Sequence, residues 1–405
     1  MKKGEQMSER TPLVEPGVVV LAQEPGLVTG ERLAIATNFT GVMPDLTRGA
    51  DALIAAGADV RLLLAPEHGL RGTAQAGESE GSGRDDRTGL PILDTYTLTP
   101  EQVDAALDSN VDTIVFDMQD VGTRYWTYVW TMFDLLCSAA RLGKRFMVLD
   151  RPNPLGGTQT SGPGVDPAFT SFVGRFNVPL RHGLTIGELA ALFVAQWPQA
   201  MNAAPPDLRV VRARGWQRDM SFEDTGLTWV APSPNMPTID TAYAFCATGP
   251  FEGVDVSEGR GTTRPFETIG APYVDSRLID MLREAEVEGV TFRDTWFVPT
   301  FHKYAGQTCR GVQLHVTDRS VFNPLLCGTT MLTAFRDLYP NDFRALSPGE
   351  FEPGYALDRL WGSDELRRAL ERGEDARTLV PPMSNPAAYY PTGTLIYGNT
   401  AKGAA

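Results

Sequence analysis

The sequence predicts an α/β protein: a mainly parallel sheet wound by helices on both faces in the first half, followed by an α+β second half. Three observations carry this expectation. Short apolar runs alternate with helical patterns up to about residue 150. Polar and glycine-bearing residues gather where those runs stop. Beyond residue 225 the alternation gives way to a proline-rich segment and a looser succession of elements. At 405 residues the chain is longer than one small core supports, so two domains are expected, 1–225 and 226–405.

Taken in order, residues 33–37 read as a short buried strand ending in Asn38-Phe39-Thr40-Gly41, and residues 45–56 carry helical periodicity. The apolar run 60–65 reads as the next strand. It stops at Pro66, which cannot continue a central strand, and Glu67, His68 and Gly69 follow. Residues 72–89, rich in Gly, Ser, Glu and Arg, read as a long exposed loop. Thr99-Pro100-Glu101 opens a helix with a cap and a first-turn proline. A strand at 111–116, a helix at 126–142 and a strand at 145–149 come next. Thr185-Ile186-Gly187-Glu188 opens a helix with a capping box, and a strand at 208–212 closes the first domain. The second domain has a proline-rich segment, Ala231-Pro232-Ser233-Pro234-Asn235-Met236-Pro237. Behind it lie a helix at 275–286, strands near 291–298 and 311–317, and a helix at 321–338.

This order makes the first sheet Rossmann-like. The turn after the first strand lacks G-x-G-x-x-G, which argues against a dinucleotide, and no G-x-S-x-G nucleophile elbow occurs. A net charge of −14 argues against nucleic acid and anionic membrane surfaces as partners. Four scattered cysteines without C-x-x-C spacing point to buried thiols rather than zinc or disulfides, and neither metal nor organic cofactor is expected. Residues 1–10 have basic side chains but no apolar core behind them, and no run reaches transmembrane length. A cytoplasmic location is therefore expected.

The chemistry collects at strand ends, where open α/β sheets place their ligand crevice. Glu67 and His68 stand at one such lip. The next strand leads into Asp117-Met118-Gln119-Asp120-Val121-Gly122-Thr123-Arg124-Tyr125-Trp126, with carboxylates to position hydroxyls, Arg124 to grip an anion, and two aromatic rings suited to sugar stacking. Asp150-Arg151 adds a charged pair suited equally to bracing a loop or touching a ligand. His182 stands between Arg181 and Gly183 before a helix. Ser257-Glu258-Gly259-Arg260-Gly261-Thr262-Thr263-Arg264-Pro265-Phe266-Glu267 combines a free backbone with two guanidinium groups. His302 and His315 read as structural.

Together, in this order, these motifs resemble one family: the bacterial DUF1343 proteins, exo-β-N-acetylmuramidases of the NamZ type. The carrying pieces are Thr37-Asn38-Phe39-Thr40-Gly41, Pro66-Glu67-His68-Gly69, the 116–124 stretch, Asp150-Arg151-Pro152-Asn153-Pro154, Arg181-His182-Gly183, Pro232-Ser233-Pro234-Asn235-Met236-Pro237 and Ser257-Glu258-Gly259-Arg260-Gly261-Thr262. The resemblance implies a cleft between the two domains and release of non-reducing terminal N-acetylmuramic acid (MurNAc) from peptidoglycan fragments.

Glycoside cleavage needs a carboxyl group that gives its proton to the leaving oxygen, and Glu67, flanked by His68, is the candidate. Asp120, Asp117 and Glu258 compete for the second carboxylate; alternatively the substrate's own acetamido group attacks. MurNAc carries a lactyl carboxylate, so an arginine is expected in its pocket, with Arg124, Arg260 and Arg264 as candidates. Asn38, Tyr125 and His182 complete the expected contacts. The rival expectation is a binding protein for muropeptides or sugar acids that does not turn them over.

Overall fold

A computed structural model describes residues 13–197, 203–348 and 354–398. Residues 1–10, on which the cytoplasmic expectation rests, lie outside this range. The larger sheet contains β1 (Arg32–Thr37), β2 (Asp59–Ala65), β3 (Gly83–Arg84), β4 (Pro91–Asp94), β5 (Thr113–Asp117), β6 (Arg145–Leu149) and β7 (Asp207–Val211). Their order is β3-β4-β2-β1-β5-β6-β7, and every pairing is parallel except β3 with β4.

Strand periodicity decides what packs where, because successive side chains point to opposite faces. Leu33, Ile35, Leu63, Val115, Met147 and Leu149 turn to the face covered by α1 (Gly17–Gln23) and α2 (Gly49–Ala55). Ala34, Ala36, Leu62, Leu64, Ile114, Phe116, Phe146 and Val148 turn the other way, onto α3 (Pro100–Asp108), α4 (Thr127–Leu142) and α5 (Ile186–Ala195). Both faces being covered, the central strands read as unbroken apolar runs. Each large side chain buried this way contributes about 1.5–3 kcal/mol.

The second half contains α6 (Ile239–Thr248), β8 (Thr268–Ala271), α7 (Arg277–Glu284), β9 (Val290–Phe297), β10 (Cys309–Val316), α8 (Pro324–Leu338), α9 (Ala356–Trp361) and α10 (Glu365–Arg372). Its sheet is antiparallel, in the order β8-β10-β9. Its core is continuous with that of α4: Phe245, Phe251, Phe266 and Phe335 belong to the same buried cluster as Tyr125, Trp126 and Trp130. The α/β sheet and the smaller α+β portion therefore share one apolar interior.

Local chemistry explains where the expected elements begin. The expected capping box forms at Thr185 with Glu188, and the expected cap at Thr99 is itself a box closed by Gln102. The helix expected at 45–56 starts only at Gly49. Asp45 accepts the Thr47 amide at 2.9 Å, Met43 N–H reaches the Thr47 carbonyl at 2.8 Å, and this turn precludes helix. β3 and β4 lie in and just after the segment expected to be loop, and β8 was not anticipated; at two to four residues each they are too short for a periodic signal. Asp150, at the end of β6, braces rather than binds. It accepts from Thr185 Oγ1 at 2.7 Å, Gly187 N at 2.8 Å and Tyr397 OH at 2.6 Å. Burial pushes its carboxyl up to about 6, against those donors. His315 is exposed on β10.

The four cysteines are buried free thiols. Among the described residues, no helix is long and apolar enough to cross a membrane, and no group of three or more His, Cys, Asp or Glu side chains is placed to hold a metal ion.

Candidate active site

Pro66 ends β2, and the chain turns at once. His68 adopts φ 71° and Gly69 φ 82°. A Cβ at Gly69 would stand 2.3 Å from Glu80, so the turn requires glycine. It leaves Glu67 at the edge of a cavity of about 690 Å³. The lip of the large sheet and the start of α4 form one wall; residues 233–236, α6, the 252–266 segment and His302 form the other.

Glu67 is only 7% exposed, and both its oxygens are engaged. Oε1 accepts the Gly77 amide at 2.6 Å, and Oε2 accepts Thr127 Oγ1 at 2.5 Å. One donor comes from the loop after β2 and the other from the first residue of α4. The carboxylate plane is thereby fixed from two directions, as catalytic carboxylates require. No lysine or arginine pairs with it at salt-bridge distance among the described residues. His68 lies against the Ala74 carbonyl through Nδ1 at 3.0 Å. Since a carbonyl only accepts, Nδ1 carries a proton toward it. Three non-glycine residues lining the cavity, His68, Phe266 (φ 62°) and His302 (φ 65°), hold left-handed backbone. Such conformations are uncommon and gather at functional sites.

The opposite wall is built on charge. Arg260 lies over the Phe266 ring at 4.9 Å, donates through Nη2 to Glu252 at 2.5 Å, and places Nε 3.3 Å from Glu258. Glu258 is fully buried and also meets Lys303 Nζ at 2.9 Å and His302 Nδ1 at 3.1 Å. Burial alone would raise its carboxyl; the His302 hydrogen bond and the Lys303 and Arg260 charges outweigh it and hold the group at about 2. Glu258 thus anchors two cavity-lining side chains, Arg260 and His302, from behind without lining the cavity itself.

Of the expected site residues, Glu67, His68, Tyr125 and Arg260 line the cavity. Tyr125 offers its ring only, because its hydroxyl donates to the Phe245 and Cys246 carbonyls at 2.7 and 3.0 Å. The others are corrected. Arg124 is fully buried, and its Nη atoms donate to the carbonyls of Pro163, Val178, Leu360 and Trp361 at 2.7–3.0 Å. It staples two distant stretches of chain, and both its Nη atoms are spent on those carbonyls away from the cavity. Asp117 is buried in an ion pair with Arg151 at 2.7 Å. Asp120 accepts Gly122 N at 2.8 Å and faces His182 Nε2 at 3.1 Å, both side chains being withdrawn from the cavity. Asn38 spends its oxygen on Thr40, at 2.9 and 2.6 Å. Arg264 sits half-exposed beside Glu267, outside the cavity.

Sequence reasoning missed Thr127, Gln75, Asn235 and Glu252, and read His302 as structural; all five line the cavity. Asn235 was visible inside a quoted motif. The others carry no local signal, since their roles arise only when distant segments meet.

An oriented carboxylate at the lip of an α/β sheet, facing an arginine across an aromatic-walled cavity, defines a hydrolase of the glycosidase kind. Comparison with known proteins places the chain more closely. Residues 33–240 match the N-terminal family model of the exo-β-N-acetylmuramidase NamZ, and residues 243–392 match its C-terminal model. The chain is 43% identical over 375 residues to the peptidoglycan β-N-acetylmuramidase NamZ of Bacillus subtilis (strain 168), covering 92% of this chain and 87% of that protein. Two solved DUF1343 family structures from Bacteroides fragilis NCTC 9343 share the fold. The first has TM-score 0.80 and 31% identity, covering 91% of this chain and 95% of its own; the second has TM-score 0.72 and 24% identity, covering 95% and 99%. The chain belongs to the NamZ (DUF1343) family.

The corrected role of Arg124 has a measurable consequence. Arg124→Ala leaves four buried carbonyls without their donor and is expected to cost about 3 kcal/mol or more. Denaturant unfolding reads this as a lower midpoint at unchanged slope. An arginine serving only a ligand would lose activity with the midpoint intact.

Proposed function

We propose that this chain hydrolyses the β-glycosidic bond of a non-reducing terminal MurNAc in peptidoglycan fragments, with Glu67 as the acid. The observation that carries the reading is the Glu67 carboxyl, held by Gly77 and Thr127 at the cavity while Arg260 faces the same space. The two units divide the work, the carboxyl coming from 1–225 and the arginine from 226–405.

In the reaction, Glu67 gives its proton to the oxygen leaving C1, the C1–O bond breaks, and the remaining saccharide departs with a new hydroxyl. Water adds at C1, and its proton restores Glu67. The acid and its sugar are thus returned unchanged apart from the added water. Aromatic faces at Tyr125, Trp126 and Phe245 give the sugar an apolar wall that excludes solvent. Arg260 recognises the lactyl carboxylate that distinguishes MurNAc from N-acetylglucosamine. Its Nε and Nη2 are committed to Glu258 and Glu252, while Nη1 has no partner among the described residues. With Asp120 and Asp117 withdrawn, the carboxylates that share the cavity with Glu67 are Glu78 and Glu252. Glu252 is neutralised by Arg260, and Glu78 lies exposed at the rim.

Two measurements test these roles. Glu67→Gln is expected to lower kcat on a MurNAc-terminated saccharide by roughly 10²–10⁴-fold, the usual worth of a general acid. It should lower kcat far less on an aryl MurNAc glycoside whose phenolate leaves without protonation. Equal losses on both substrates would move the acid elsewhere. Arg260→Met is expected to reduce kcat/KM on the MurNAc glycoside by about ten- to a hundredfold, the worth of a charge-assisted hydrogen bond. Its slower action on the N-acetylglucosamine counterpart should change much less. A parallel loss on both glycosides would remove Arg260 from lactyl recognition.

A further inference from the structure

The catalytic cavity does not end at its mouth. A second cavity of about 520 Å³ adjoins it, and Gln75, Asn235 and Phe301 line both. Asn235 Nδ2 donates to Gln75 Oε1 at 3.1 Å, joining the loop after β2 to the proline-rich segment as one side of the threshold. Phe301 forms the other side. Its position is set by backbone: Thr300 N and Oγ1 both donate to the Gly261 carbonyl, at 3.0 and 2.9 Å. Gly261 has φ 79°, and a Cβ there would stand 2.7 Å from the amide nitrogens of Thr300 and Phe301. Only glycine lets the 300–301 backbone lie directly on the arginine-bearing loop.

The two chambers differ in chemistry. The catalytic cavity is lined by Glu67, Glu252, Arg260 and His302 among other ionisable groups. The second has none. Its wall is Phe297, Val298 and Phe301, with the hydroxyls of Thr262, Thr263 and Thr300 and the two threshold amides. Val298 is 49% and Phe301 38% exposed, an apolar surface that nothing in the described chain covers. Apolar faces with a few hydroxyls and amides suit a neutral sugar ring. A carboxylate-bearing sugar or a charged peptide would find no counter-charge there.

We propose that the second cavity seats the sugar on the leaving side of the scissile bond, a neutral N-acetylhexosamine, while the anionic MurNAc occupies the charged chamber. This rests on the muramidase reading and deepens it: the sequence of chambers, charged then neutral, repeats the sequence of sugars in the substrate. Phe297 and Val298 contribute to specificity through binding, away from the reacting atoms.

The test compares a MurNAc–N-acetylglucosamine disaccharide with the methyl β-glycoside of MurNAc. Both leaving groups are simple alcohols, but only the disaccharide reaches the second cavity. The wild type should favour the disaccharide in kcat/KM by about tenfold or more. Phe297→Ala, and independently the half-exposed Val298→Asp, should each remove most of that preference through KM. Trp296→Ala, next in sequence, 63% exposed and stacked on Arg310 outside either chamber, should keep it. A preference that survives both substitutions, or equal losses on both substrates, overturns the proposal. Failure of the wild type to release MurNAc from either compound would instead overturn the muramidase reading, and this proposal with it.

Discussion

Everything at this site depends on one carboxylate held by two donors that are far apart in sequence. Glu67 receives Gly77 N–H from ten residues downstream and Thr127 Oγ1 from sixty. The first bond requires the loop after β2 to fold back over the strand end. The second requires α4 to begin beside that same end, which the parallel β2-β1-β5 order brings about. Pro66 fixes the starting point by stopping the strand, and left-handed His68 and Gly69 turn the chain away. A carboxyl so placed loses rotational freedom before substrate arrives, and reaction in a near-attack geometry depends on that loss.

The charged wall opposite is stabilised by the same logic at a deeper level. A buried carboxylate is costly unless paired, and Glu258 is paired three ways. It holds Arg260 and His302 at the cavity surface while its own charge is satisfied from behind. Arg124 works as the complementary case, a buried cation satisfied by carbonyls of residues 163, 178, 360 and 361. It ties the start of α4 to the end of α9, so the element that positions Glu67 is anchored to the second half of the chain. Buried charges paired in this way fix relative placement more than they add net stability.

Much of this was legible from residues alone. The parallel sheet was readable because its central strands are apolar on both faces, and Glu67 because a proline marks the strand end. The capping box at Thr185 and the cap at Thr99 formed where the spacing placed them. The errors share one cause. Arg124, Asp120, Asp117 and Asn38 were read as ligand contacts because polar residues at strand ends usually face a crevice. Whether such a group faces a ligand or another part of the protein is decided by packing: Thr40 claims Asn38, Arg151 claims Asp117, His182 faces Asp120, and residues 360 and 361 claim Arg124. Leu360 and Trp361, which claim Arg124, give no sign of it in sequence. Packing likewise hid Thr127 and Glu252, and made His302 look structural when its ring bridges Glu258 and the cavity.

Protonation of the leaving oxygen by Glu67 is tested by a crystal structure of Glu67→Gln with the MurNAc–N-acetylglucosamine disaccharide. The side chain at position 67 is expected within about 3 Å of the glycosidic oxygen, still held by Gly77 N and Thr127 Oγ1, with the lactyl carboxylate on Arg260. A glycosidic oxygen beyond reach of position 67 and facing Glu78 or Glu252 would contradict it.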